Sequence, residues 1–165
     1  MREEPNSPFY KLVHIAGAKS KGEAFIINQK SLYDGIRILY KSLDVNLKDE
    51  RNIRNLPQII IRYFNAVSKH WHLEWKDSKK YLLMSNTGMQ ALGIVGAQLI
   101  ERLVRSEKIQ EEDFLKELKT VQFSWEKVQG DKKLPTGRSG GEIIAQKILT
   151  SMESTTIDLG RLLQE

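Results

Sequence analysis

Histidine and cysteine are the usual ligands of a zinc site, and this chain has three histidines and no cysteine. His70 and His72 are two residues apart, so on a helix their side chains point about 200° away from each other. His14 lies far from both in the sequence. The spacing therefore provides no pair of histidines on one helix face, and we predict that the chain has no metal ligand and no cofactor.

Serine nucleophiles are the next side chains that could carry chemistry. Ser85, Ser124 and Ser139 all lack the Gly-x-Ser-x-Gly context of a nucleophile elbow. A catalytic triad can be scattered through a chain, so a small hydrolase or nuclease stays open as a third alternative. We predict no catalytic residue and expect binding in preference to catalysis.

A glycine-rich segment before the last predicted helix could hold an anion. Its members are Gly137, Arg138, Ser139, Gly140 and Gly141. Glycines let peptide N–H groups turn toward an anion, the following helix begins with partial positive charge, and an arginine can fork onto phosphate. The Gly-x4-Gly-Lys-Ser/Thr pattern of a P-loop is absent. We predict an anion-binding loop here, with a flexible entry to a helix as the alternative.

The basic residues are unevenly distributed along the chain. Residues 51–80 hold seven lysines and arginines against Glu74 and Asp77, so this segment alone accounts for the net charge of +5. The seven are Arg51, Arg54, Arg62, Lys69, Lys76, Lys79 and Lys80. Arg62, Lys69 and Lys76 recur every seven residues, which on a helix shifts them by only about 20° per step. Such a face suits contacts to nucleic-acid phosphates, and a solvated helix face is the alternative.

The elements that must position these residues are mostly helical. Weak alternation at residues 9–15, a Gly-Lys-Ser turn at 17–22 and the apolar run at 24–27 predict a small N-terminal β-hairpin. Helical periodicity then predicts five helices. They begin at Ser31 and near Asn55 and continue at about residues 87–106, 110–121 and 142–152, with residues 129–141 as a loop. The predicted fold class is α+β, predominantly helical.

Two helices have informative sequences. In the second, an apolar stripe recurs at helical spacing, and Pro57 is expected in the first turn, where its missing N–H costs nothing. The stripe consists of Leu56, Ile60, Phe64, Val67 and Trp71. In the third, Gly93 and Gly96 weaken the helix by about 1 kcal/mol each relative to alanine. They predict another element packed closely against that face.

Length and composition bound the class of protein. A chain of 165 residues with 40% hydrophobic residues is the size of one domain, and we expect residues 1–165 to form one, with 153–165 frayed or forming one more turn. The most apolar stretch, residues 89–100, is shorter than the ~20 residues of a membrane span. The N-terminus has no apolar signal region, and the absence of cysteine fits a reducing compartment. We predict a cytoplasmic protein without membrane contact.

Several segments together resemble a known family. These are Ser7-Pro8-Phe9, Phe25-Ile26-Ile27, residues 59–67, Trp71 or Trp75, residues 81–92, Phe123-Ser124-Trp125 and the Gly137-x-x-Gly140-Gly141 helix entry. The pattern resembles the C-terminal part of DGQHR-domain (DndB-like) proteins, which are associated with bacterial DNA phosphorothioate modification and related defence clusters. The resemblance covers about residues 7–152. The Asp-Gly-Gln-His-Arg motif itself is missing, and Asp34-Gly35-Ile36-Arg37 does not replace it.

Since that motif is missing, the resemblance does not carry the family's chemistry to this chain. It implies a C-terminal accessory region, either part of a larger protein or encoded alone. We expect a non-catalytic DNA-binding or regulatory module of a bacterial DNA-modification or defence system, with weak DNA binding and with sister proteins of the cluster as further partners. The alternative is a protein-interaction module that docks a partner subunit or the missing N-terminal domain.

Overall fold

Helices make up most of the computed structural model, which describes residues 5–14, 26–43, 49–107, 109–129 and 132–161. Within these ranges there are six helices and four two-residue strands. The helices are α1 (Gln29–Ser42), α2 (Glu50–His70), α3 (His72–Lys76), α4 (Asn86–Arg105), α5 (Glu111–Leu118) and α6 (Gly137–Arg161). The strands are β1 (Val13–His14), β2 (Ile27–Asn28), β3 (Val128–Gln129) and β4 (Lys132–Lys133). The predominantly helical α+β class is thus confirmed.

The N-terminal strands form a pair, but they do not form the predicted hairpin. Val13 pairs with Ile27 and His14 with Asn28 in parallel orientation. Parallel strands need a crossover connection of about a dozen residues, and the chain between His14 and Ile27 is long enough to supply one. The turn predicted at 17–22 lies outside the described residues. Asn28 then caps α1, because its side-chain oxygen accepts the N–H of Ser31 at 2.7 Å.

Helix α2 begins at Glu50, earlier than the predicted start near Asn55. The reason is a cap: Asp49 Oδ1 accepts the N–H of Arg51 at 2.9 Å. Pro57 therefore lies inside the helix rather than in its first turn. There it removes the hydrogen bond that residue 57 would donate to the preceding turn. The predicted apolar stripe of α2 is confirmed, since all five of its side chains are buried.

The C-terminal part of the chain departs from the prediction at both ends of α6. Residues 128–133, at the start of the predicted loop, contain the antiparallel pair of β3 and β4. Helix α6 begins at Gly137 and continues to Arg161, whereas the prediction was residues 142–152 followed by a tail that either frays or forms one more turn. Residues 162–165 lie outside the described residues. The glycines in the first turn weaken the helix intrinsically, and the packing of that turn on α4 compensates.

Helix α4 is the centre of the fold, with α1 and α6 packed against it. A Cβ atom on Gly93 would lie 2.4 Å from the carbonyl oxygen of Gly35 in α1. Likewise, a Cβ on Gly96 would lie 2.5 Å from the ring of Tyr63 in α2. The predicted close packing on this glycine face is therefore present, with α1 against Gly93 and an α2 aromatic ring against Gly96.

Tyr63 joins α2 to this centre. Its hydroxyl donates to the carbonyl of Leu92 at 2.8 Å, and its ring is 5.8 Å from the ring of Phe114 in α5. Burial raises the pKa of the Tyr63 hydroxyl far above its usual value, so this side chain stays a neutral donor.

Across the residues that can be described, no helix is both long enough and apolar enough to cross a membrane.

Replacing Gly93 by alanine tests the close approach of α1 and α4. In an open helix Gly→Ala stabilises by about 1 kcal/mol. Here the new methyl group would overlap the Gly35 carbonyl, so we expect a net loss of about 1–3 kcal/mol in the free energy of unfolding. Urea denaturation measures it, with Gln98→Ala on the exposed side of α4 as the control. A Gly93→Ala variant more stable than the parent would contradict the packing.

Candidate anion-binding surfaces

The predicted basic face of α2 is exposed at its ends. Arg51 and Arg54 are exposed near the helix start, and Lys69 is exposed near its end. Arg62, in the middle, is half-buried. Helical geometry places Arg51, Arg62 and Lys69 within about 20° of one another around the axis. The face therefore exists, but its members differ in their surroundings.

The residues that lead into α5 contact this basic face of α2. Arg62 Nη1 donates to the carbonyl oxygen of Ile109 at 3.3 Å. The Lys69 ammonium forms an ion pair with the Glu111 carboxylate. The hydrogen bond from Lys69 to Glu111 and the charge of Glu111 raise the pKa of Lys69, and the charge of Glu112 adds to the effect. Residues 109–111 thus divide the basic face into two parts.

The predicted seven-residue stripe does not continue to Lys76 on one helix. The backbone of Trp71 leaves helical geometry with φ −108° and ψ 54°, and the chain restarts as α3. The indole of Trp71 is buried, with its ring centroid 5.4 Å from that of Trp125. Arg62, Lys69 and Lys76 therefore do not form the continuous free face that the periodicity predicted, although Lys76 is itself exposed.

Lys79 and Lys80 lie in the turn after α3, and both are exposed. Asp77 Oδ1 accepts their backbone N–H groups at 3.0 and 3.1 Å, which fixes the turn. The Lys80 ammonium is 2.9 Å from Glu126 Oε1, and this hydrogen bond is the largest cause of its raised pKa. Lys76 and Lys79 have no acidic partner among the residues that the structure describes.

The predicted anion-binding loop is the first turn of α6. Gly137 has a φ of +76°, which favours glycine, and its N–H donates to Thr87 Oγ1 at 2.9 Å. Gly140 and Gly141 are buried, and a Cβ on Gly141 would lie 3.0 Å from Cβ of Gln90. Gly141 thus allows α6 to pack on α4, whereas a Cβ on Gly140 would lie 2.7 Å from the backbone of Pro135, and neither glycine lines an open loop.

Arg138 and Ser139 remain exposed at this helix start, and Arg138 shares a cavity with two cations that sequence reasoning missed. Arg37 and Lys41 of α1 line the same cavity as Arg138. The sequence contained a signal for this pair of cations, because Arg37 and Lys41 are four residues apart and share a helix face. Their meeting with Arg138 depends on the packing of α1 and α6 on α4, which local periodicity does not reveal.

The histidines and serines show other surroundings. His70 is half-buried with its ring 4.6 Å from that of Trp71, whereas His72 is exposed on α3. Ser85 Oγ caps α4 by accepting the N–H of Gly88 at 3.1 Å. No group of three His, Asp or Glu side chains suitable for a metal ion occurs in the part of the chain that the structure describes.

His70 predicts a pH dependence of stability. Burial lowers the pKa of its imidazole, Lys119 lowers it further and Glu74 opposes the shift. Below the unfolded-state value of about 6.5 the unfolded chain takes up a proton more readily than the folded one, so stability is lost as the pH falls. We expect the free energy of unfolding to fall more steeply from pH 7 to pH 5 in the parent than in His70→Gln. Parallel pH profiles would show that burial of this imidazole has no such effect.

Comparison with known proteins adds no relative. No protein-family model matches the chain, and no curated protein or solved structure shows significant similarity to it.

Proposed function

We propose that this chain is a non-catalytic module that binds duplex DNA through the phosphate backbone. The observation that carries the proposal is the exposure of the most basic segment. Cations outnumber acids seven to two in residues 51–80, and six of the seven have exposed side chains. A localised positive surface attracts a polyanion whatever its base sequence.

The two parts of the basic surface suit a long, repetitive ligand. Arg51 and Arg54 form the first part, and the second contains the four lysines between Lys69 and Lys80. At 1.5 Å per residue, Arg51 and Lys69 are about 27 Å apart along α2. That is roughly eight phosphate steps of one DNA strand. A duplex can therefore contact both parts and span the strip occupied by residues 109–111.

The ion pairs on this surface are compatible with DNA binding. Lys69 and Lys80 pair with Glu111 and Glu126, but both lysines stay more than half exposed. Solvent and salt screen such pairs, so they contribute little to stability. A phosphate can replace the carboxylate as the partner. Lys76 and Lys79 need no such exchange, and they are the cations that we expect to contact DNA first.

The biological setting of this proposal comes from the resemblance to DGQHR-domain proteins. It suggests a regulatory role in a bacterial DNA-modification or defence system, in the cytoplasm and alongside sister proteins of that system. Sequence-independent contacts through lysines and arginines fit an accessory region that adds DNA affinity to another component. The missing Asp-Gly-Gln-His-Arg motif is the reason for placing catalysis elsewhere.

DNA binding is tested by fluorescence anisotropy with a labelled duplex over a range of salt concentrations. The parent is expected to bind with a Kd of about 1–100 µM at physiological salt, as non-specific contacts do. In Lys76→Glu/Lys79→Glu, affinity should fall at least about tenfold, and the slope of log K against log salt should decrease in magnitude by about two.

The control is Arg105→Glu/Lys147→Glu, which changes net charge equally at exposed sites of α4 and α6. It should retain most of the affinity. Equal losses in both variants would mean that net charge, not this surface, determines binding. If the parent fails to bind at low salt, the proposal is wrong and docking of a protein partner becomes the better explanation.

A further inference from the structure

A cavity with three cations lies between α1 and the first turn of α6. Its volume is about 240 Å³. Its walls consist of Asp34, Arg37, Ile38, Lys41, Gln90 and Arg138. Two helices that are far apart in sequence supply the cations, and Gln90 of α4 lies between them. The volume is several times the roughly 30 Å³ of a liquid water, so a small polyatomic anion fits.

The charges around this cavity are not balanced by the described acids. Neither Arg37 nor Lys41 has an acidic partner within the ranges that the structure describes. Asp34 is the one acid of the wall, and its carboxylate already pairs with Lys30. Arg138 Nε is 3.5 Å from Glu142 Oε1 across an exposed turn, where the pair is weak. The cavity therefore keeps a positive potential.

The start of α6 adds to this potential. Helix α6 has 25 residues, and the aligned peptide dipoles leave partial positive charge at its first turn, where Arg138 lies. The helix start would not make a site by itself. Here it adds to three cationic side chains that line one cavity from two elements, and all of them favour an anion with several acceptor oxygens.

We propose that this cavity binds the terminal phosphate group of a phosphate monoester. A monoester phosphate has close to two negative charges at neutral pH and three acceptor oxygens, which match two guanidinium forks and an ammonium. An internal phosphodiester has one charge, so it gains less from three cations around one small cavity than a monoester does, and it suits the extended surface of residues 51–80 better. The two sites share no residue, and this inference does not rest on the proposed DNA surface.

Methyl phosphate and dimethyl phosphate are matched probes for this distinction. We titrate each into ¹⁵N-labelled protein at constant ionic strength and follow the amide and side-chain resonances. Methyl phosphate should cause saturable shifts at Arg37, Lys41, Arg138 and Ser139, with an affinity at least tenfold above that for dimethyl phosphate. Equal affinities, or unsaturable shifts spread over all lysines, would overturn the proposal.

The variant Arg37→Gln/Lys41→Gln should weaken methyl phosphate binding at least tenfold. Both side chains are exposed, so the variant should fold, and circular dichroism checks this. The control Lys76→Gln/Lys79→Gln removes the same charge and should leave methyl phosphate binding unchanged. Equal weakening in the control would overturn the site. If the parent protein binds methyl phosphate but fails to bind DNA, only the proposed function is refuted.

Short duplexes with and without a 5′-phosphate distinguish the source of the phosphate. If only the phosphorylated duplex displaces methyl phosphate, the ligand is the end of a nucleic acid. When neither duplex displaces it, the ligand is a small phosphorylated molecule, and the site stands. Displacement by both duplexes would show that the cavity accepts the DNA backbone, which contradicts a monoester site.

Discussion

The close approach of α1 to α4 is the contact on which the other arrangements depend. It is possible because both helices have a glycine at the crossing, where a Cβ on either residue would overlap the other helix's backbone. Larger side chains at Gly35 and Gly93 would separate the helices. That displacement would also move the α1 wall of the basic cavity, since Arg37 lies only two residues from Gly35. Packing in the centre and charge at the surface are therefore coupled.

The side of α4 that meets Tyr63 has a different kind of contact. Here the ring of Tyr63 in α2 occupies the space left by Gly96, and its hydroxyl donates a buried hydrogen bond to Leu92. Helix α5 covers the same region with Phe114 and Leu118, both fully buried. This packing positions the acidic first turn of α5 against the basic face of α2, where Glu111 pairs with Lys69. Burial of two apolar side chains thus determines where the negative charges meet the positive ones.

Apolar periodicity predicted five of the six described helices, because burial of a stripe such as Leu56 to Trp71 is a property of one helix, but it did not predict the break at Trp71 that makes α3 a separate helix. The residues at which the helices begin and end were harder to predict. Asp49 extends α2 backward past a proline, and packing on α4 draws Gly137 to Gly141 into α6 despite poor helix propensity. The parallel pairing of β1 with β2 was not predicted either, because a Gly-Lys-Ser segment between two short apolar runs is typical of a hairpin.

The candidate sites show the same difference between what a single helix determines and what the packing of helices determines. Arg138 was predicted as a candidate residue from the sequence, and the exposure of Lys76 and Lys79 accords with their positions at the end of α3 and in the turn that follows it. The partners were not predicted. Glu111 and Ile109 meet α2 only in the packed structure, and Arg37 and Arg138 line one cavity only because α1 and α6 both pack on α4. Sequence spacing predicts neighbours within a helix, whereas contacts between helices depend on the shapes of the side chains between them.

The position of Pro57 has a consequence for motion. The two turns of α2 before it hold Arg51 and Arg54, and the proline removes one of the hydrogen bonds that connect those turns to the rest of the helix. Among their side chains with described surroundings, only Leu56 is buried. One of the hydrogen bonds that hold these turns is missing, so we expect their amide hydrogens to exchange with solvent by local opening. The amides of residues 60–67 are anchored in the core and exchange only when much of the fold opens.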